Sequence, residues 1–278
     1  IFEKVDFNEG GSIKVINYQS SQFDAPWHFH PEIELTYIVE STGIRYVGNN
    51  ISDFGAGDLI LLGPHLPHCW INENYSERNA RSIVLQWNAG LFPTIPEYKS
   101  IQALLGKAKR GLKFDDFKNK EVIELMHNII DQVPLERFIT LTQILAKLAQ
   151  DEDCIKLAGS SYVYDHSSNT SNRISKIHQF VRINYQKKIK LKEVASTLNM
   201  TEQSFSRFFS KTMNRPFFVF LNEYRVNIAS RLLIETDLQV SEIGYKCGYE
   251  SLPFFYQQFK KFKEYSPKQF RKMYQRIS

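Results

Sequence analysis

Four side chains in the first seventy residues could do chemistry together. His28-Phe29-His30 sets two imidazoles one residue apart, and in an extended strand, where side chains alternate, both fall on one face. Glu34 shares that face if the strand continues beyond Pro31, and His68, with His65 as its competitor for the fourth place, follows further along. Nitrogen and oxygen donors gathered this way can hold a transition metal or line a pocket for a polar ligand. A second set lies towards the other end. Gln203, Ser206, Arg207 and Ser210 recur at i, i+3, i+4 and i+7, opposite an apolar helical face of Phe205, Phe208, Phe209 and Thr212. Hydrogen-bonding groups and a guanidinium on one helical face are what base edges and phosphates require. No Ser/His/Asp triad, Gly-rich phosphate loop or Cys-rich zinc site stands at recognisable spacing.

The elements that must hold the first set read as β. Residues 13–18, 34–40, 44–47, 58–62 and 82–87 are short runs rich in Val, Ile, Leu and Tyr, punctuated by Gly43, Gly48-Asn49-Asn50, Gly55, Gly57 and Gly63-Pro64. Many short strands at close spacing predict a sandwich or small barrel over about 1–100. From about 101 to 150 the period turns helical. Val122, Leu125, Met126, Ile129, Ile130 and Val133 form one apolar stripe, broken at Pro134, and Leu135, Phe138, Ile139, Leu141, Thr142, Leu145 and Leu148 form another. Residues 159–172, rich in Ser and Asn and without periodicity, read as a linker.

The remainder, 173–278, is helical throughout. Leu191, Val194, Ala195 and Leu198 make a short helix, Asn199-Met200 a turn, and Thr201 caps a helix over 202–212. Residues 217–235 read as one long connector of about 28 Å, close to the ~34 Å between successive major-groove faces of B-DNA. A second pair follows: Val240, Ile243 and Cys247 on one face, Gly248 at the turn, Ser251 as N-cap, then Phe255, Phe259 and Phe262 inward with Tyr256, Gln257 and Lys260 outward.

Charge divides along the same line. Residues 172–278 carry 20 Lys and Arg against 8 Asp and Glu, net +12, while 1–171 carry 15 against 22, net −7. A basic domain joined to an acidic one predicts a polyanionic partner for the former alone. Cys69, Cys154 and Cys247 are odd in number and widely spaced, which suits a reducing cytoplasm without a disulfide framework. No signal-peptide pattern is visible in a chain that starts at Ile1, and no apolar run approaches the ~20 residues of a membrane helix.

The stretch 240–271 resembles the signature of AraC/XylS-type transcription regulators through Ile243-Gly244, Gly248-Tyr249, Phe255, Phe259-Lys260, Ser266-Pro267 and Arg271. Gly244, Pro253, Gln257 and Glu264 depart from the usual Ala, Ser, Arg and Gly, and Asn214 replaces Gly in the first unit. The N-terminal half resembles the cupin fold in its H-x-H-x(3,4)-E pattern, in Gly57-Asp58-Leu59 and in Pro67-His68. Matched residue by residue, the metal-binding set of cupins would be His28, His30, Glu34 and His68. Sensor cupins of this family often keep such residues as pocket lining, so no metal and no other cofactor is expected here.

The resulting expectation is α+β with two domains. A cupin-like β-barrel with appended helices (1–158) binds an effector and dimerises, and an all-α double helix-turn-helix binds promoter DNA. DNA contacts are expected from Thr201, Gln203, Ser206, Arg207, Ser210 and Lys211 of the first unit. The second unit would contribute Ser251, Leu252, Pro253, Tyr256, Gln257, Lys260 and Lys261. Effector contacts are expected from His28, His30, Glu34, Tyr37, His68, Trp70 and Trp87, the aromatics suiting a sugar. RNA polymerase is a further partner of such regulators, a membrane is not. The rival readings are a metal-dependent cupin enzyme with a helical appendage and a basic module that docks on an acidic protein.

Overall fold

The computed structural model describes residues 2–7, 11–23, 25–72, 79–160, 162 and 168–274. The chain divides into two compact units, the main boundary falling between Ser171 and Asn172. In the first, β1 (Ile13–Ser20), β2 (Ile33–Glu40), β3 (Gly43–Val47), β4 (Asn50–Phe54), β5 (Leu59–Leu62), β6 (His68–Ile71) and β7 (Ala80–Trp87) precede α1 (Lys99–Ala108). Then come β8 (Leu112–Phe114), α2 (Lys120–Asn128), α3 (Pro134–Leu148) and β9 (Ile155–Lys156). One sheet runs β1-β7-β2-β5-β8-β9 and a second β4-β3-β6.

Strand alternation sorts the side chains into two cores. Leu59 and Leu61 of β5 join Leu35 of β2 and Ile83, Leu85 and Trp87 of β7 in a cluster packed against α1, α2 and α3. Ile60 and Leu62 point the other way and meet Ile38, Val47, Phe54 and Trp70 between the sheets. β5 is therefore apolar on both faces because helices cover one side and the small sheet the other. Of the second expected helical stripe, Leu141, Leu145 and Leu148 are buried, whereas Leu135 is 70% and Ile139 50% exposed.

The stretch expected as a linker is shorter than its composition suggests. Gly159 donates its N–H to Asn49 Oδ1 at 3.0 Å, and Tyr162 Cε1 lies close beside Gly48, so both belong to the first unit. Helix α4 (Ser168–Asn184) already begins inside that stretch, and residue 161 and residues 163–167 fall outside the described residues.

The second unit continues with α5 (Leu191–Ser196), α6 (Glu202–Met213), α7 (Phe217–Glu235), α8 (Val240–Lys246), α9 (Leu252–Lys263) and α10 (Pro267–Tyr274). Phe205, Phe209, Phe217, Phe220, Phe255 and Phe259 are almost fully buried and make its core largely aromatic. No helix among the described residues is long and apolar enough to cross a membrane.

Candidate ligand pocket and nucleic-acid interface

Between the two sheets, β2 sends Glu34, Thr36 and Ile38 inward and β7 sends Ser82, Val84 and Gln86. With Tyr18, Phe23, His28 and Trp70 they line a cavity of about 200 Å³. The register Glu34↔Gln86 places the two polar side chains opposite each other. Gln86 Nε2 donates to Glu34 Oε2 at 2.9 Å, His30 Nε2 to the same oxygen at 3.0 Å, and Thr36 Oγ1 to Glu34 Oε1 at 2.6 Å.

His28 and His30 do not lie on one continuous strand. His28 bridges to His68, residues 31 and 32 bend the chain, and β2 starts at Ile33. The bend nevertheless returns Glu34 to His30, so Pro31 redirects the backbone without dispersing the set. His65, the competing fourth residue, sits exposed with φ 59°, its N–H donating to His30 O and its ring 6.4 Å from that of Phe29.

His28 and His68 each place Nδ1 2.7 Å from a backbone carbonyl, of Pro26 and Leu66 respectively. A carbonyl only accepts, so both rings carry a proton on Nδ1. Ligand atoms of His28, His30 and His68 come within 4.8 Å of one another. Backbone-anchored imidazoles beside a carboxylate are a donor set that fits a transition metal. Without one, burial and neighbouring His68 lower the His28 pKa to about 3. Burial also opposes the charged form of His30, but the Glu34 hydrogen bond and charge raise its pKa overall. For Glu34 burial works upward and is outweighed by His68 and the His30 hydrogen bond, which hold the carboxyl well below its ordinary range. His68 Nε2 and Gln86 Oε1 stay buried without a hydrogen-bond partner, 3.6 Å separating His68 Nε2 from Glu34 Oε1.

Of the expected ligand contacts, His28, Glu34 and Trp70 line the cavity, while His30 and His68 meet Glu34 outside its lining. Tyr37 and Trp87 are on the opposite face of their strands. Tyr37 meets His127 edge-on at 5.9 Å, and Trp87 is buried under the helices. Strand periodicity of two is the reason, since Tyr37 is an odd step from Glu34. Thr36, Ser82 and Gln86 take their place. Trp70 does line the cavity, and its indole N–H lies 3.5 Å from Asp58 Oδ2. Asp58 is also paired with Arg45, both almost fully buried.

In the second unit each helix pair is built alike. Asn199 takes φ 54° in the first turn, and Thr201 Oγ1 accepts the Ser204 N–H at 3.2 Å to start α6. In the second, Gly248 has φ 81°, and a Cβ there would come within 2.2 Å of Tyr185 O. Only glycine fits. Ser251 caps α9, and both helices end at left-handed residues, Asn214 and Glu264. Thr201, Gln203, Arg207, Ser210 and Lys211 are exposed and Ser206 half-buried. Ser251, Pro253, Gln257, Lys260 and Lys261 are exposed, and Leu252 and Tyr256 half-buried. Ser204 and Phe254, absent from the expected sets, are exposed too.

A helix-turn-helix domain family model matches residues 194–273, and a cupin domain model matches residues 14–81. Both halves of the chain thus match known domains, an AraC-type helix-turn-helix and a cupin. A xylose operon regulatory protein of Haemophilus influenzae is 31% identical over 107 residues, 38% of this chain and 28% of that protein. The chain thus spans about a third or less of that relative's length, and 36% of the Escherichia coli xylose operon regulatory protein. The Msm operon regulatory protein of Streptococcus mutans is 21% identical over 98% of this chain and 96% of its own length. Among solved structures, ToxT from Vibrio cholerae is 14% identical, with 94% of this chain and 98% of that one covered at a TM-score of 0.39. By these domain matches the chain joins a cupin-like sheet unit to a helical helix-turn-helix unit.

Proposed function

We propose that the chain is a sequence-specific regulator of transcription that works in the cytoplasm, its helical half on promoter DNA and its cupin-like half on a small polar effector. One observation carries this: two separately capped helix pairs present exposed, hydrogen-bonding and basic faces on the half with net charge +12. Gln203, Ser206 and Arg207 address base edges, and Lys211, Lys260 and Lys261 hold phosphates. The test is selection of duplexes from a random pool by the full chain. Enrichment of a shared motif supports the reading, and turnover of a small molecule without enrichment supports the cupin enzyme instead.

The effector class that fits is a sugar or related polyol. Gln86 lines the cavity with a buried acceptor, Oε1, that has no hydrogen-bond partner, and Trp70 and Tyr18 supply apolar walls. Two relatives are named as xylose operon regulators, in keeping with that class.

Although the donor set fits a metal, the cavity works here as a polar ligand site. Glu34 is saturated by Thr36, His30 and Gln86, and His30 Nε2 spends its N–H on that carboxylate. Elemental analysis of purified protein is expected to show no stoichiometric transition metal. About one metal per chain, lost in a His28→Ala/His30→Ala double variant, would revive the enzyme reading.

The N-terminal half also pairs with a second copy. Val133, Leu135 and Ile139, 59%, 70% and 50% exposed, form an apolar edge at the start of α3 that nothing within the first unit covers. RNA polymerase is the further partner that regulation of this type implies. Sedimentation at micromolar concentration is expected to show a dimer for residues 1–158 and a monomer for 172–278. A monomeric N-terminal fragment would refute the assignment.

A further inference from the structure

The two recognition helices differ in the chemistry of one face. Both are 12 residues long, both start at a hydroxyl N-cap and both end at a left-handed residue, so they correspond position for position. Gln203, Ser204 and Arg207 of α6 align with Pro253, Phe254 and Gln257 of α9, and all six are exposed. On α6 these places hydrogen-bond. On α9 the first turn offers no side-chain donor: Leu252 is half-buried, Pro253 exposed and Phe254 44% exposed. Phe255 and Phe259, both 0% exposed, anchor the helix, while Phe254 touches Tyr249 with one side of its ring, 6.1 Å between centroids, and leaves the rest exposed. Nearly two turns further on, Lys260 and Lys261 add positive charge to the same helix.

We propose that α9 reads thymine 5-methyl groups in the major groove through Phe254, with Pro253 beside it, while Lys260 and Lys261 hold adjacent phosphates. This rests on the DNA-binding reading of the helix pairs. The thymine methyl is the apolar feature of the major-groove code, and apolar side chains are its natural partners. The two halves of the binding site are then selected by different chemistry, hydrogen bonds to base edges under α6 and apolar contact under α9. Removing one methyl-sized group from the contact is worth about fourfold in affinity.

Deoxyuridine in place of thymidine removes the methyl and leaves base pairing intact. In a duplex selected by the full chain, replacement in one half of the site is expected to weaken wild-type binding about fourfold per contacted methyl. Phe254→Ala, which removes an exposed ring and leaves the core in place, should bind the thymidine and deoxyuridine duplexes equally. Arg207→Ala should keep the methyl dependence. Unchanged wild-type affinity after deoxyuridine replacement throughout the site overturns the proposal, as does an equal loss in Phe254→Ala on both duplexes. Selective binding without methyl dependence sinks this inference alone. Failure to prefer any selected duplex over a scrambled one sinks the DNA-binding reading as well.

Discussion

Replacing Arg207 with alanine is expected to cost about 1–3 kcal/mol on a selected duplex and far less on random DNA. Arg207 is exposed on α6 between Gln203 and Ser210, and a guanidinium can pair with guanine O6 and N7 at once. Gln257 stands at the corresponding place of α9 without charge, so Gln257→Ala should cost less. Lys260→Ala removes a phosphate contact that carries no sequence information. It should weaken all duplexes alike and flatten the salt dependence. Isotherms on selected and scrambled duplexes at two salt concentrations read all three. A larger loss of discrimination in Gln257→Ala than in Arg207→Ala would reverse the assignment.

The largest stability effect is expected at Asp58. Its carboxylate holds Arg45 inside the small barrel, where Arg45 is 1% and Asp58 4% exposed, and Lys113 Nζ stands 3.5 Å from the same group. Asp58→Ala leaves the guanidinium buried without its carboxylate, which costs about 3–5 kcal/mol. The three tryptophans, Trp27, Trp70 and Trp87, all lie in the first unit, so their fluorescence during urea unfolding reports that unit within the full chain. The double variant Arg45→Met/Asp58→Leu should recover much of the loss, because the penalty belongs to the orphaned charge more than to the missing pair. An unchanged midpoint in Asp58→Ala would show that the pair is not holding the sheet. Trp70 would loosen with it, since its indole N–H points to Asp58.

Much of this arrangement is written locally. The helix pairs are legible because capping hydroxyls, left-handed turn residues and apolar periodicity act within a few positions, and α7 falls on the expected 217–235. Five strands are legible for the same reason. β8 is not, because Leu112–Phe114 becomes a strand through pairing with distant β5. The cavity is half legible. Thr36 follows from Glu34 by alternation, and the same rule places Tyr37 outside, so reading aromatics by type alone misassigns it. Gln86 depends on the β2–β7 register, which no local signal fixes. Phe254 is missed because it falls outside the Phe255, Phe259 and Phe262 spacing and carries no polar group, so only its exposure marks it.

The claim that matters most is that the basic half holds duplex DNA by sequence. It is tested most directly by the dissociation constant of the full chain on a selected duplex and its scrambled counterpart, followed across salt. The expected result is a steep linear fall of log affinity with log salt on both duplexes, one counterion released for roughly each phosphate neutralised, with the selected duplex bound at least ~10³-fold more tightly throughout. Equal affinity for the two duplexes, or binding indifferent to salt, would contradict it.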